Sequence, residues 1–151
     1  MKNDFRCACP TTSALDIVGD KWSLVIIKQM LLEGVKTFKD FSECDESIAS
    51  NILSSRLKKL EKYNIISKEK LPDNKKTNIY LLTQKGLNLT PTIVELTLWG
   101  EANISEFHPE LYSDERIKIL KNSKEQFIKM VLENYKTENR PQHLNRINTA
   151  V

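Results

Sequence analysis

The sequence predicts a mainly α-helical fold with one small β-hairpin, an α+β chain. Three observations predict it. Apolar residues recur at helical spacing along most of the chain. Two short strand-like runs, Ile65–Leu71 and Thr77–Leu82, flank the turn-forming stretch Pro72-Asp73-Asn74-Lys75-Lys76. Caps and breakers punctuate the periodic segments at Asp20, Gly34, Thr83 and Pro91. The 151 residues, 40% hydrophobic and 28% charged, suit one compact domain that needs no disulfide or metal to stay folded.

The elements follow in order. Pro10 suits the first position of a helix with Cys9 at its cap, and that helix ends at Gly19. Asp20 caps a second helix, Lys21 to about Leu32, closed by Gly34 as C-cap. A short third helix covers Phe38 to Glu43, with Phe38 and Phe41 on one side. Asp45-Glu46-Ser47 reads as turn plus cap for a fourth helix, Ile48 to about Tyr63. After the hairpin, Thr83 caps a helix through Leu87 and Leu89, and Pro91 kinks or restarts it at Thr90. Trp22 and Trp99 are read as core. Ser113-Asp114-Glu115 starts a last helix running to about Tyr135, with a broad apolar stripe that wants a partner surface. Residues 136–151 read as a disordered tail.

Charge is unevenly placed. Between Ser47 and Lys85 nine basic residues face three acidic ones, so this stretch carries +6 of a chain whose total is +3, and the remainder carries −3. Such a segment is the electrostatic footprint of a nucleic-acid binder. The fourth helix sharpens the reading. At about 100° per residue, Ile48, Ile52, Leu53, Leu57 and Leu60 share one side. Ser50, Asn51, Ser54, Ser55, Lys58, Glu61 and Lys62 share the other. Short polar side chains permit close approach to base edges in a major groove, and Lys58 and Lys62, one turn apart, can follow a phosphate strand. The lysine-tipped hairpin beyond it would set Lys75 and Lys76 against phosphate or the minor groove. Helix and hairpin together have the layout of a winged helix-turn-helix.

Cys9-Pro10, Gly19-Asp20-Lys21-Trp22 and Phe38-Lys39-Asp40-Phe41 resemble, in this order and spacing, the HxlR family of MarR-like winged-helix transcription regulators. So do residues Ile52 to Glu61, Tyr80 to Gly86, and Leu98-Trp99-Gly100. The resemblance covers about residues 7 to 107. It implies a homodimeric regulator of double-stranded DNA whose N- and C-terminal helices form the dimer interface. The organisation read is a winged helix-turn-helix domain with dimerisation elements over residues 1–107, then a helix over 113–135 beyond the resemblance, whose apolar stripe packs on its own domain or, as the expected dimer interface, on a second copy, and the tail. The family often carries a second glycine where Asp20 stands and a proline-arginine wing tip where this chain has Asn74-Lys75-Lys76-Thr77. It also points to Arg56 as the family's recognition-helix arginine. The wheel instead places Arg56 at about 80°, inside the apolar arc, which predicts a core-edge ion pair with Asp40 or Glu43.

Some family members respond to oxidants or electrophiles through an N-terminal cysteine, and Cys9 matches that position. Independently, a thiol at a helix N-terminus near Arg6 has its thiolate stabilised. Cys7 is a candidate resolving partner, whereas carboxylates around Cys44 oppose its ionisation. Three cysteines and no apolar leader behind Met1 predict a reducing, cytoplasmic setting without a disulfide framework. No run is long enough to cross a bilayer. Cys7, Cys9, Cys44 and His108 match no standard metal or iron–sulfur spacing, so no metal or cofactor is expected. Neither is catalysis: no activated serine, carboxylate pair or phosphate loop is recognisable. The competing expectation is a winged helix that binds another protein through the same helix and hairpin.

Overall fold

The computed structural model describes residues 5–71, 73–108 and 115–139. The described residues fall into two compact units that divide between Asn88 and Leu89. The first contains α1 (Pro10–Val18), α2 (Lys21–Leu32), α3 (Phe38–Glu43), α4 (Ser50–Lys62), β1 (Ile66–Leu71), β2 (Asn74–Leu82) and α5 (Gln84–Leu87). The second contains α6 (Thr90–Asn103), α7 (Glu115–Asn122) and α8 (Lys124–Glu138).

Local chemistry accounts for most boundaries in the first unit. Pro10 opens α1 with Cys9 at the cap. Asp20 caps α2 by accepting the Ser23 amide at 3.0 Å and its hydroxyl at 2.7 Å. Glu33, not Gly34, is the C-cap, and Gly34 follows with φ 68, the left-handed turn that glycine adopts without strain. Thr37 and Asp40 form a reciprocal capping box on α3. Phe41 is fully buried, whereas Phe38 is 37% exposed.

The connection from α3 to α4 departs from the sequence reading. Ser47 has φ 49 and its amide donates to the Cys44 carbonyl at 2.9 Å, closing a turn. Ile48 is buried within that connection, and α4 begins only at Ser50, with Ala49 at the cap and no side-chain cap bond. The acids of the turn therefore do not cap α4. At its other end Asn64 takes φ 56, and the amides of Asn64 and Ile65 return to the carbonyls of Glu61 and Leu60 at 2.9 Å each, a Schellman closure.

β1 and β2 pair antiparallel, from Ile66 opposite Leu82 to Lys70 opposite Asn78, and the register shifts before Leu71 meets Asn74. The expected five-residue turn is shorter than that: Lys75 and Lys76 stand at the start of β2, where the Asn74 side chain accepts the Lys76 amide at 3.1 Å. Pro72 lies outside the described residues. A third edge was not anticipated: Thr37 bridges Ile79, and the Tyr80 amide donates to the Lys36 carbonyl at 2.8 Å. So brief a strand has no periodicity to betray it. The hairpin is tied at its base by Thr83, whose hydroxyl donates to Asn64 O at 2.7 Å and receives the Gly86 amide at 3.2 Å. A Cβ on Gly86 would stand 2.3 Å from the Ile65 carbonyl, which requires glycine there. The core of the unit gathers Ile26, Ile27 and Met30 of α2, Phe41 of α3, Leu53, Leu57 and Leu60 of α4, and Ile65 and Ile66.

In the second unit Pro91 stands in the first turn of α6, and Thr90, Ile93 and Val94 are buried. Trp99 is 60% exposed, which overturns its reading as core; Trp22 is half-buried, with the Lys21 ammonium 4.7 Å from its ring. The single helix expected from Ser113 to Tyr135 is two. Ser123 adopts an extended conformation and its hydroxyl accepts the Gln126 amide at 3.3 Å, ending α7 and capping α8. Serine competes with the helix backbone in this way wherever a break is open to it. Leu120, Phe127, Val131 and Tyr135 are buried, whereas Ile128 and Leu132 are half-buried on another side of α8. Residues 136–138, expected in the tail, are helical. Residues 140–151 and the expected start at Ser113-Asp114 lie outside the described residues.

Candidate nucleic-acid interface

α3, the turn after it and α4 form a helix-turn-helix, and β1 and β2 form a wing behind it. α4 is anchored by Leu53, Leu57 and Leu60, which are at most 2% exposed. Burial of each is worth about 1.5–3 kcal/mol. On its other side Ser50, Asn51, Ser55, Lys58 and Lys62 are exposed and Ser54 is half-buried. The predicted polar face is thus an open surface. The Lys62 ammonium also lies 5.1 Å from the Tyr63 ring centre. Lys75 and Lys76 are exposed on the wing. No acidic side chain occupies the first turn of α4, which keeps that helix end compatible with an anion.

Polar contacts tie α4 to the N-terminal end of α2 and the turn before α4 to its other half. At one end Arg56 Nε donates to Asp20 Oδ1 at 2.7 Å, and Lys59 Nζ lies 3.9 Å from Asp20 Oδ2. Arg56 is therefore on the core edge and ion-paired, but its acid is Asp20 rather than Asp40 or Glu43. Asp40 is engaged in the capping box, and Glu43 lies 3.7 Å from Lys39. Burial opposes ionisation of Asp20, yet hydrogen bonds from Ser23 and Arg56 outweigh it and hold the carboxyl below its ordinary range. At the other end of α2, Glu46 in the turn receives both the Lys28 ammonium and the Gln29 amide, the latter at 2.7 Å. Burial works against the Glu46 carboxylate, and Lys28 and Gln29 reverse that, lowering its pKa. Sequence reasoning assigned Asp20 only a cap, and Glu46 only a place in the turn and cap before the fourth helix. It passed over Lys28 and Gln29, whose one signal is a polar pair inside an apolar helix.

The thiols separate into two kinds. Cys7 and Cys9 are exposed, and Cys44 is half-buried. The amide and hydroxyl of Thr12, with those of Thr11, favour the Cys9 thiolate and lower its pKa at the start of α1. Arg6, expected beside that thiol, is bound to Asp16 at 2.5 Å. Cys44 is pushed up by burial and by the charges of Glu33 and Glu46. Among the described residues one cluster has metal-ligating types: Glu33, Cys44 and Glu46 offer donor atoms within 4.8 Å of one another. Lys28 bonds both carboxylates there, so the cluster carries its own cation.

A helix-turn-helix with a basic wing defines the class of winged-helix DNA-binding regulators. The chain belongs to the HxlR-like helix-turn-helix family, whose sequence model matches residues 17–108. It is 35% identical over 94 residues to the HTH-type transcriptional regulator YodB of Bacillus subtilis, covering 62% of this chain and 83% of YodB. Reduced YodB superposes with a TM-score of 0.52 at 32% identity, over 64% of this chain and 95% of that one. The redox regulator HypR in its oxidised form superposes with a TM-score of 0.56 at 31% identity, over 63% and 97%. The family is one of transcription regulators rather than enzymes. No helix among the described residues is long and apolar enough to cross a membrane.

Proposed function

We propose that this chain regulates transcription as a cytoplasmic homodimer on a pseudo-palindromic operator. The open polar side of α4, opposite its buried leucines, carries the reading. Ser50, Asn51, Ser54 and Ser55 face base edges in the major groove. Lys58 and Lys62, with Lys75 and Lys76 of the wing, hold the phosphates. Two such helices in a dimer meet the duplex about 34 Å apart, one helical repeat. Exposed apolar side chains on α1 (Leu15) and on α6 (Leu96, Trp99) supply surfaces for a second copy. Cys9, with Cys7 beside it, is the site of response to an oxidant or electrophile. Its lowered pKa supports this, as does the similarity to HypR, a redox regulator.

The test is selection of bound fragments from a genomic DNA pool, followed by titration of the selected duplex. Asn51→Ala should relax preference at one base-pair position, a discrimination of about 1–3 kcal/mol. Lys75→Ala should weaken all sequences alike. An equal, sequence-blind loss for both overturns base reading by α4. Absence of any duplex binding at physiological salt favours a protein-binding winged helix instead. For the thiol, Cys9→Ser should abolish the change in operator affinity produced by a mild oxidant; an unchanged response removes Cys9 as the sensor.

A further inference from the structure

α7 and α8 lie beyond the residues matched to the family, and α8 has a side that its own unit leaves open. Phe127, Val131 and Tyr135 are buried. A hollow of ≈ 460 Å³ runs along another side, lined among the described residues by Glu125, Ile128, Lys129, Leu132, Glu133 and Lys136. At about 100° per residue, and with Ile128 at 0°, Leu132 stands at about 40° and the four charges between about 60° and 140°. The hollow thus has an apolar edge and a charged edge. We propose that this face pairs antiparallel with α8 of a second copy, within the homodimer proposed above, on which the inference rests.

Two-fold symmetry selects the arrangement. In an antiparallel pair the two-fold runs across the helices and keeps each edge against its own kind. With the axis level with residues 130 and 131, Ile128 meets Leu132 of the second copy. Glu125 then meets Lys136, and Lys129 meets Glu133, each contact occurring twice. The charge order acidic, basic, acidic, basic along the helix is self-complementary on reversal. A parallel pair has its axis along the helices and sets the apolar edge against the charged one. One helix face is small beside the roughly 800 Å² per partner of a standard interface, so the pairing extends a dimer contact rather than supplying one alone. Lys129 and Glu133 also lie 4.0 Å apart within the helix, both well exposed, which by itself calls for no partner.

Full-length Lys129→Glu and Glu133→Lys chains separate the two situations. In the first, both positions are acidic; in the second, both are basic. Each homodimer then sets like charges face to face, whereas a mixed dimer matches all four. Equal amounts of the two, one isotopically labelled, are mixed and weighed by native mass spectrometry. Mixed dimers should exceed random pairing, the excess should vanish at high salt, and the Lys129→Glu/Glu133→Lys chain should dimerise like the parent. Random mixing with dimers intact overturns the α8 pairing and leaves the homodimer standing. A monomeric parent chain overturns both.

Discussion

Asp20 shows how much one residue can hold. It caps α2 through Ser23 and binds Arg56 of α4, positions 36 apart in sequence. Asp20→Ala should cost about 1–2 kcal/mol in urea unfolding, the cap and the ion pair together. A double-mutant cycle with Arg56→Ala should return a coupling of about 0.5–1 kcal/mol, and a coupling of zero would mean the pair does not hold α4. The carboxyl's folded pKa lies below its unfolded one, so the unfolded chain binds the extra proton. Its stabilisation is thus present above the unfolded pKa of about 3.9 and lost as pH falls through the folded value. Asp20→Asn should flatten that part of the acid limb. The thiols give a second prediction at this scale. Iodoacetamide should label Cys9 ahead of Cys44 at neutral pH, because the first-turn donors of α1 favour one thiolate and burial beside carboxylates opposes the other. Equal rates, followed by mass spectrometry, would remove that distinction.

Among the elements, α4 was the most legible in sequence and the C-terminal region the least. The sides of α4 follow from a 3.6-residue period, and each leucine on the predicted apolar side is buried. The same period ran past Ser123, broken only at Lys124 inside the apolar arc, because an apolar stripe shared by two helices looks like one when the break costs so few polar positions. Ser123→Ala should lower the stability of the second unit by about 1 kcal/mol through loss of the α8 cap. Amide exchange should quicken in the first turn of α8 and stay unchanged in α4. Unchanged exchange in α8 would show that packing, not the cap, defines that helix start. The wing was half legible. Its two strands were expected, but the entry of Lys75 and Lys76 into β2 and the short edge at Thr37 depend on cross-strand pairing that spans separate segments.

At the scale of the whole molecule, charge separation matters more than the total. The 39 residues from Ser47 to Lys85 carry +6 against −3 elsewhere, and they include all of α4 and the wing. Operator affinity should fall with salt at a log–log slope of about −0.9 per phosphate neutralised. Replacing Lys75 and Lys76 by alanine should reduce that slope by about one each. An affinity indifferent to salt would show that something other than this patch holds the duplex. The order of elements as far as α6, the caps at Asp20 and Thr83 and the two sides of α4 were written in the sequence alone, because periods and caps act over three or four residues. Tertiary structure alone decided that Arg56 takes Asp20, that Lys28 and Gln29 seize Glu46, and that Trp99 faces outward. An ionised side chain pairs with whichever opposite charge the packed helices bring within reach, and no local spacing encodes that distance.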